Sequence, residues 1–327
     1  MAFPCTGTIG ASGTEFGEEY IDPVAICNFH DLLENEMKQF DFIENTKVLV
    51  IKQNNQIKAL GSKCTHYEAP LHTGALGIGR IRCPWHGACF DIDTGDIEDF
   101  PGLDSLPCYQ VEVKNNGKVM VRAKRKDLQN SRRVKHMVKR DLKNPLCYVV
   151  IGGGPAGAVC VETLRQEGFT GRVVMVCKEK YLPYDKVAIT KETNVKLENI
   201  QLRKPEFYEE YGIETLMSTE AIKVDCAIKT IYLSNDSIIQ YDKMFIATGS
   251  SVSKPEIKGL GLKGILMVRE FEDVQRIDKM IQPKRNVICL GSSFIALEVA
   301  QNWATKCKSV SINPIGIQIA YQSFIIL

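Results

Sequence analysis

Residues 146–179 read LCYVVIGGGPAGAVCVETLRQEGFTGRVVMVCKE, and the fold of the chain's second half turns on this stretch. An apolar run, CYVVI, meets a glycine turn, and a helical segment then leads into a second apolar run, RVVMV. Strand, turn, helix and strand within roughly thirty residues make a βαβ unit. Gly152, Gly154 and Gly157 give G-x-G-x-x-G directly after the first strand, with Pro155 and Ala156 carrying the turn into the helix. The three glycines act differently. The first turns tightly, the second admits a pyrophosphate, and the third lets helix and sheet pack closely. Glu179 ends the second strand, twenty-two residues beyond Gly157. That is the place of a carboxylate that accepts hydrogen bonds from an adenosine ribose. The motif predicts a dinucleotide site and leaves FAD and NAD both open.

Downstream, YDKMFIATGS at 241–250 resembles the ATG strand of the two-dinucleotide flavoprotein reductases, which singles out Thr248 and Gly249. NVICLGSSFIALEVA at 286–300 is a second strand, turn and helix, reading G-x-S-x-x-A through Gly291, Ser293 and Ala296. All three residues are small enough to permit close pyrophosphate approach, and Ser293 in place of the middle glycine makes this the weaker of the two motifs. SVSINP, the strand after it, lacks the acidic residue expected at its end. The last nineteen positions, SVSINPIGIQIAYQSFIIL, carry no charge. Ser, Asn and Gln interrupt them, Pro314 breaks a helix near its start, and no basic anchor follows, so no membrane span is expected.

Upstream lies a basic run, KVMVRAKRKDLQNSRRVKHMVKRDLK at 118–143, read as a solvated helix or linker between two domains. Residues 1–45 are its opposite, with nine acidic side chains against Lys38. This N-terminus shows neither a secretory pattern nor an arginine-rich import pattern. The formal net charge of +2 offers no electrostatic case for nucleic acid or an anionic membrane as the main partner. Twelve cysteines spread singly along 327 residues point to reduced thiols rather than a disulfide framework.

From about 20 to 123 short strands alternate with turn signals: KVLVIKQ, NN, QIKALGS, and later YQVEV, KNNG, KVMVRA. Period-two alternation with Asn and Gly punctuation predicts hairpins and an all-β domain. Between the hairpins lie CTHYEAPLH at 64–72 and CPWHGACF at 83–90. Cys64 and His66, then sixteen residues, then Cys83 and His86, give each loop one thiol and one imidazole. A Rieske two-iron, two-sulfur cluster needs this asymmetry, with two thiolates on one iron and two imidazoles on the other. Structural zinc sites instead pair Cys with Cys two to four apart and His with His three to five apart. Cys89 is read as a packed thiol and His72 as structural. A mononuclear-iron oxygenase needs two further His and a carboxylate, and the remaining His30, His72 and His136 stand singly and far apart along the chain.

CTH, CPWHG and GDIEDFPG at 95–102 resemble the Rieske ferredoxin family over about a hundred residues. High-potential members carry an extra cysteine in each box. Tyr67, Glu68 and Trp85 stand in these stretches here, so the resemblance implies the low-potential type, nearer roughly −150 mV than about +300 mV. The whole chain resembles the apoptosis-inducing-factor-like flavoproteins with an N-terminal Rieske domain. LPYDKVAITK at 182–191 occupies the place of their flavin-side segment, Lys191 matches its lysine, and Lys186 stands where arginine is usual. Family members continue well past this point, so a C-terminally truncated form is expected.

The expected class is α+β multidomain, an all-β Rieske domain followed by an incomplete α/β two-dinucleotide region. Its expected parts are a Rieske domain over 20–123, a basic linker over 124–145, a partial FAD-binding Rossmann-like domain over 146–250 and a truncated NAD(P)-binding unit over 251–327. The resemblance implies an oxidoreductase in which NAD(P)H reduces FAD and the cluster passes single electrons to an unidentified acceptor. The alternative is a Rieske electron carrier, or a non-catalytic regulatory form, with a vestigial flavoprotein half. Cytoplasm and mitochondria are the compartments the family suggests.

Overall fold

The computed structural model describes residues 19–191, 195–252, 258–314 and 324–326. The first eighteen residues, where an N-terminal address would lie, and most of the uncharged tail fall outside these ranges. The chain divides into two compact units, Met1–His136 and Met137–Leu327, and the division falls inside the stretch expected to be a linker.

Among its described residues the first unit is all-β apart from one short α-helix and two single-turn 3-10 helices. Its strands are β1 (Val24–Asn28), β2 (Glu36–Asp41), β3 (Lys47–Gln53), β4 (Gln56–Gly61), β5 (Ala75–Gly77), β6 (Arg80–Arg82), β7 (Cys89–Asp91), β8 (Ile97–Asp99), β9 (Cys108–Val113) and β10 (Lys118–Arg122), followed by α1 (Arg125–Gln129). They form a six-stranded sheet, order β1-β10-β9-β4-β3-β2, and a four-stranded one, β5-β6-β7-β8. Asn54 and Asn55 both hold positive φ, 54° and 58°, the twist a two-residue hairpin turn requires. That turn fixes the Gln53 to Gln56 register of β3 on β4. Alternation then splits two cores. Leu49, Ile51 and Leu60 face Phe90, Leu106 and the two motif cysteines, while Val48, Val50 and Ala59 face Tyr109, Val119 and Val121. With both faces buried, the central strands make a rigid base for the motif loops.

The basic run is not simply solvated. Arg133 pairs its backbone with Ser105 in both directions at 2.8 Å, and its guanidinium donates to the Thr94 and Leu106 carbonyls and to Asp96. Backbone geometry, which charge patterning does not encode, zips this part of the run onto the first unit.

In the second unit β11 (Cys147–Ile151), α2 (Pro155–Gln166), β12 (Arg172–Val176), α3 (Ala188–Lys191), α4 (Leu197–Ile200), α5 (Pro205–Glu210) and β13 (Ile213–Leu216) come first. An antiparallel excursion follows, β14 (Ala221–Asp225), β15 (Thr230–Leu233) and β16 (Ile238–Gln240), and β17 (Lys243–Ile246) returns to the first sheet. Its parallel order is β13-β12-β11-β17. Val149, Ile151 and Val174 pack on the excursion, and Val150, Val173 and Met175 pack on Val161 and Tyr208. Burial on both faces explains why β11 and β12 read as unbroken apolar runs.

The last elements are β18 (Ile265–Met267), α6 (Phe271–Met280), β19 (Asn286–Leu290), α7 (Phe294–Ala304), β20 (Ser309–Asn313) and β21 (Phe324–Ile326). β19 and β20 are parallel, while β21 runs antiparallel between β18 and β19 and covers an edge that would otherwise stand open. Among the described residues no helix is long and apolar enough to cross a membrane. Ten described cysteines are free thiols; Cys108 is disulfide-bonded, an exception to the expectation of reduced thiols throughout.

Candidate functional site

The two motif loops of the first unit are built alike. The Cys64 amide donates to the Ala69 carbonyl and the Cys83 amide to that of Ala88, each at 2.8 Å. Inside these closures the Glu68 amide donates to the Cys64 carbonyl at 2.9 Å and that of Gly87 to the Cys83 carbonyl at 3.2 Å. Glu68 and Gly87, each four residues after its cysteine, hold φ of 58° and 78°. The left-handed turn costs glycine little and disfavours glutamate, so the first loop keeps this geometry against local preference.

The turns bring the donors together by type. Cys64 and Cys83 are buried among Leu71, Ile81 and Phe90. His66 is half-buried and His86 exposed, with ring centroids 5.0 Å apart and planes at 79°. Tyr67 lies 3.9 Å from the His66 ring and 5.7 Å from that of His86. Burial, reinforced by the neighbouring Cys83, pushes the Cys64 thiol up to about 11, and the amides of His66 and Tyr67 partly offset it. At neutral pH this thiol keeps its proton until a metal displaces it. Among the described residues no three His, Cys, Asp or Glu side chains close on a single point. A cluster of two irons does not ask for that: its thiolates and imidazoles serve different irons. Buried sulfur donors beneath more exposed nitrogen donors therefore fit such a cluster. Cys89 is buried at the start of β7, and His72 lies exposed in the short turn Leu71–Thr73 that closes the first motif stretch.

Sequence reasoning missed how the first loop is held. Thr65, between Cys64 and His66, donates its hydroxyl to the Asp104 carbonyl at 2.7 Å. The next residue, Ser105, is the one paired with Arg133, and Arg132 donates to the His66 carbonyl at 3.4 Å. The adjacent arginines inside the basic run were the available signal.

In the second unit the glycines of the first turn differ in the room around them. A Cβ on Gly152, whose φ is 128°, would sit 2.1 Å from the Ala247 carbonyl oxygen, and one on Gly157 would sit 2.0 Å from that of Gly152. Gly154, at the mouth of α2, has nothing within 4 Å of its Cβ position. The turn is thus packed against the end of β17 and against its own helix, and open where a pyrophosphate would meet the helix N-terminus at Pro155 and Ala156. Thr248 and Gly249 lie exposed just beyond β17, and the Thr248 amide faces Gly152.

Glu179 lies beyond β12, and both its oxygens are engaged. Tyr184 donates its hydroxyl at 2.7 Å, and Lys186 its ammonium at 2.7 Å. The same tyrosine oxygen accepts the Phe271 amide at 3.1 Å, which fixes the 182–191 segment against the start of α6. Burial and the charge of Glu179 hold the Glu270 carboxyl above its usual range. Lys191 ends α3 and is exposed. Its neighbour Thr190 donates to Glu298 at 2.8 Å and receives Asn302 at its carbonyl. Glu298 and Asn302, one turn apart on α7, were not found from the sequence, because i, i+4 polar residues on a helix read equally well as a solvated face.

The second turn repeats the first. The Gly291 amide donates to Asn313 at 2.8 Å as that of Gly152 does to Val176 at 2.9 Å, and Gly291 also has positive φ, 111°. Ser293 occupies the N-cap position of α7, and Ala296 is fully buried where Gly157 stands in the first turn.

Residues 147–316 match the pyridine nucleotide-disulphide oxidoreductase family, and residues 22–110 match the Rieske 2Fe-2S domain. The chain is 40% identical over 293 residues to human apoptosis-inducing factor 3, covering 88% of this chain and 48% of that protein. It is 31% identical over 172 residues to the ferredoxin–NAD(+) reductase subunit of the benzene 1,2-dioxygenase system of Pseudomonas putida, covering 52% of this chain and 42% of the other. The chain thus spans about half the length of these curated relatives or less. The covalent putidaredoxin reductase–putidaredoxin complex shares the fold at 22% identity and a TM-score of 0.51, over 54% of this chain and 44% of that one.

Proposed function

The chain belongs to the pyridine nucleotide-disulphide oxidoreductases, in the apoptosis-inducing-factor-like group that carries a Rieske domain, and from that premise we propose that it moves electrons between NAD(P)H, FAD and a Rieske cluster. The observation that carries the proposal is the equivalence of the two motif loops, each closing over one cysteine and presenting one histidine. Cys64 and Cys83 hold one iron from the buried side, and His66 and His86 hold the other towards solvent. When bound, the flavin accepts electrons in pairs and releases them singly, and the cluster carries them one at a time.

The protein's own groups bind and orient. Gly152, Gly154 and Gly157, with Pro155 and Ala156, bring the α2 N-terminus to the pyrophosphate. Glu179 takes the adenosine ribose, and Lys186, Lys191, Thr248 and Gly249 line the flavin side. Gly291, Ser293 and Ala296 shape the nicotinamide nucleotide site. The exposed His86 marks where the electron acceptor approaches, and cytoplasm and mitochondria are the compartments in which to seek it. The 20–123, 124–145, 146–250 and 251–327 division of labour belongs to the same proposal.

One observation favours a second reading, an electron carrier without flavin: each Glu179 oxygen already accepts one hydrogen bond, so a ribose has to share the carboxylate's remaining lone pairs with Lys186 and Tyr184. Anaerobic purification, dithionite reduction and electron paramagnetic resonance, with iron and flavin measured on one sample, decide between them. A rhombic Rieske signal with two irons per chain and stoichiometric FAD supports the oxidoreductase. The same signal without flavin selects the carrier, and zinc in place of iron refutes both.

A further inference from the structure

We propose that Arg132 is a positioning residue for the cluster, a fixed positive charge on the His66 loop that raises its reduction potential. The inference rests on the reading that His66 ligates iron.

The placement of Arg132 is set by its neighbours. Arg133 is locked by reciprocal backbone bonds to Ser105 and by its guanidinium contacts to Thr94, Leu106 and Asp96. Asp104, beside Ser105, holds Thr65 through its carbonyl. One loop therefore holds both the residue preceding His66 and the residue following Arg132. From this footing Arg132 anchors its own amide on the Asn130 side chain at 3.2 Å and reaches the His66 carbonyl with Nη2 at 3.4 Å.

Other cations near the loops are neutralised. Lys63 pairs with Glu68 at 2.9 Å, and Arg82 with Asp99 at 2.8 Å. Among the described residues no carboxylate lies within ion-pair distance of Arg132. Reduction adds one electron, and hence one negative charge, to the cluster. A cation bonded to the backbone of an iron ligand stabilises that charge directly, and it polarises the His66 peptide in the same sense. Because Arg132 is exposed, the effect is screened by salt.

The test measures the midpoint potential of the full chain by titration monitored through the Rieske electron paramagnetic resonance signal, for wild type, Arg132→Ala, Arg132→Lys and Glu68→Gln. Arg132→Ala is expected to lower the midpoint, with a several-fold smaller reduced fraction at fixed potential. Arg132→Lys restores most of it, Glu68→Gln moves it upward, and the spread contracts between low salt and about 1 M, where the Debye length falls to about 3 Å. An unchanged midpoint in Arg132→Ala with an intact Rieske signal overturns the proposal and leaves the cluster assignment standing. Absence of a Rieske signal in the wild type overturns both.

Discussion

Replacing Arg165 with methionine tests how the nucleotide-binding half is held together. Arg165 sits at the end of α2 and is fully buried. Its guanidinium donates to the carbonyls of Phe169, Gly171, Tyr211 and Gly212, so it joins the helix that faces the proposed pyrophosphate to the entries of β12 and β13. No carboxylate is among these partners. Burial, with the repulsion of Arg140, lowers its pKa to about 10, which leaves it charged at neutral pH. Only the Gly171 bond is fully buried. Leaving that acceptor unpaired costs about 2 kcal/mol and each part-buried one about 1 kcal/mol, roughly 5 kcal/mol in all. Relief from burying a charge returns about 2 kcal/mol, so the net loss is about 3 kcal/mol. The chain has two tryptophans, and in a Trp85→Phe background the fluorescence of buried Trp303 reports the second unit alone. With a urea slope of about 3 kcal/mol/M the unfolding midpoint should fall by about 1 M. A fall below about 0.3 M would mean that water serves these carbonyls as well as the guanidinium does, and would refute the reasoning.

Gly152→Ala and Gly154→Ala should separate folding from binding. A methyl at 152 meets the Ala247 carbonyl at 2.1 Å and should lower both melting temperature and affinity for ADP. A methyl at 154 meets nothing within 4 Å and should leave the melting temperature nearly unchanged while weakening ADP more than about tenfold in calorimetry. Cys83→Ser should abolish the Rieske signal and iron content, yet leave ADP binding by the second unit intact. Glu214 is held below the usual carboxylate range by its Arg172 hydrogen bonds and by Arg140. A depressed folded pKa gives stability that is present above the unfolded value of about 4.3 and is lost as pH falls through the folded one. Glu214→Gln should accordingly flatten the decline of melting temperature on the acid side, and an identical acid limb in both proteins would exclude this ion pair as a contributor.

What the sequence disclosed were features in which residue type and local spacing suffice. Asn54 and Asn55 announce a hairpin because two left-handed residues in a row need side chains that tolerate them. The triple glycine announces its turn because each missing Cβ has a separate steric reason. Cys64, His66, Cys83 and His86 are legible because two short loops repeat one chemistry. The rest depends on which distant backbone lies opposite. Arg133 looks like any member of a basic run until Ser105, 28 positions earlier, is seen to face it. Likewise the pairing of β21 with β18 and β19 follows from the edges those strands leave, not from any pattern in FII itself. The tie from Glu298 to Thr190 spans 108 positions, beyond the reach of any periodicity argument.

Register carries one distinction further. Ile151 lies opposite Val176 in the first nucleotide unit, and Leu290 lies opposite Asn313 in the second; each first residue immediately precedes its turn glycine. Glu179 stands three positions past Val176, and three positions past Asn313 the sequence has Gly316. On the proposed role of Glu179 the first unit has a carboxylate for the ribose, whereas the sequence that follows Asn313, Pro-Ile-Gly, supplies no acid to the second. A carboxylate favours a free 2′-hydroxyl and repels a 2′-phosphate. Without one, the second site gains nothing from the hydroxyl and suffers no repulsion from the phosphate. On this reasoning the second unit should bind adenine dinucleotides more weakly than the first and should separate NADH from NADPH poorly. Comparable calorimetric affinities for the two at that site are the expected result, and a strong preference for NADH would require a ribose contact other than the one the register provides.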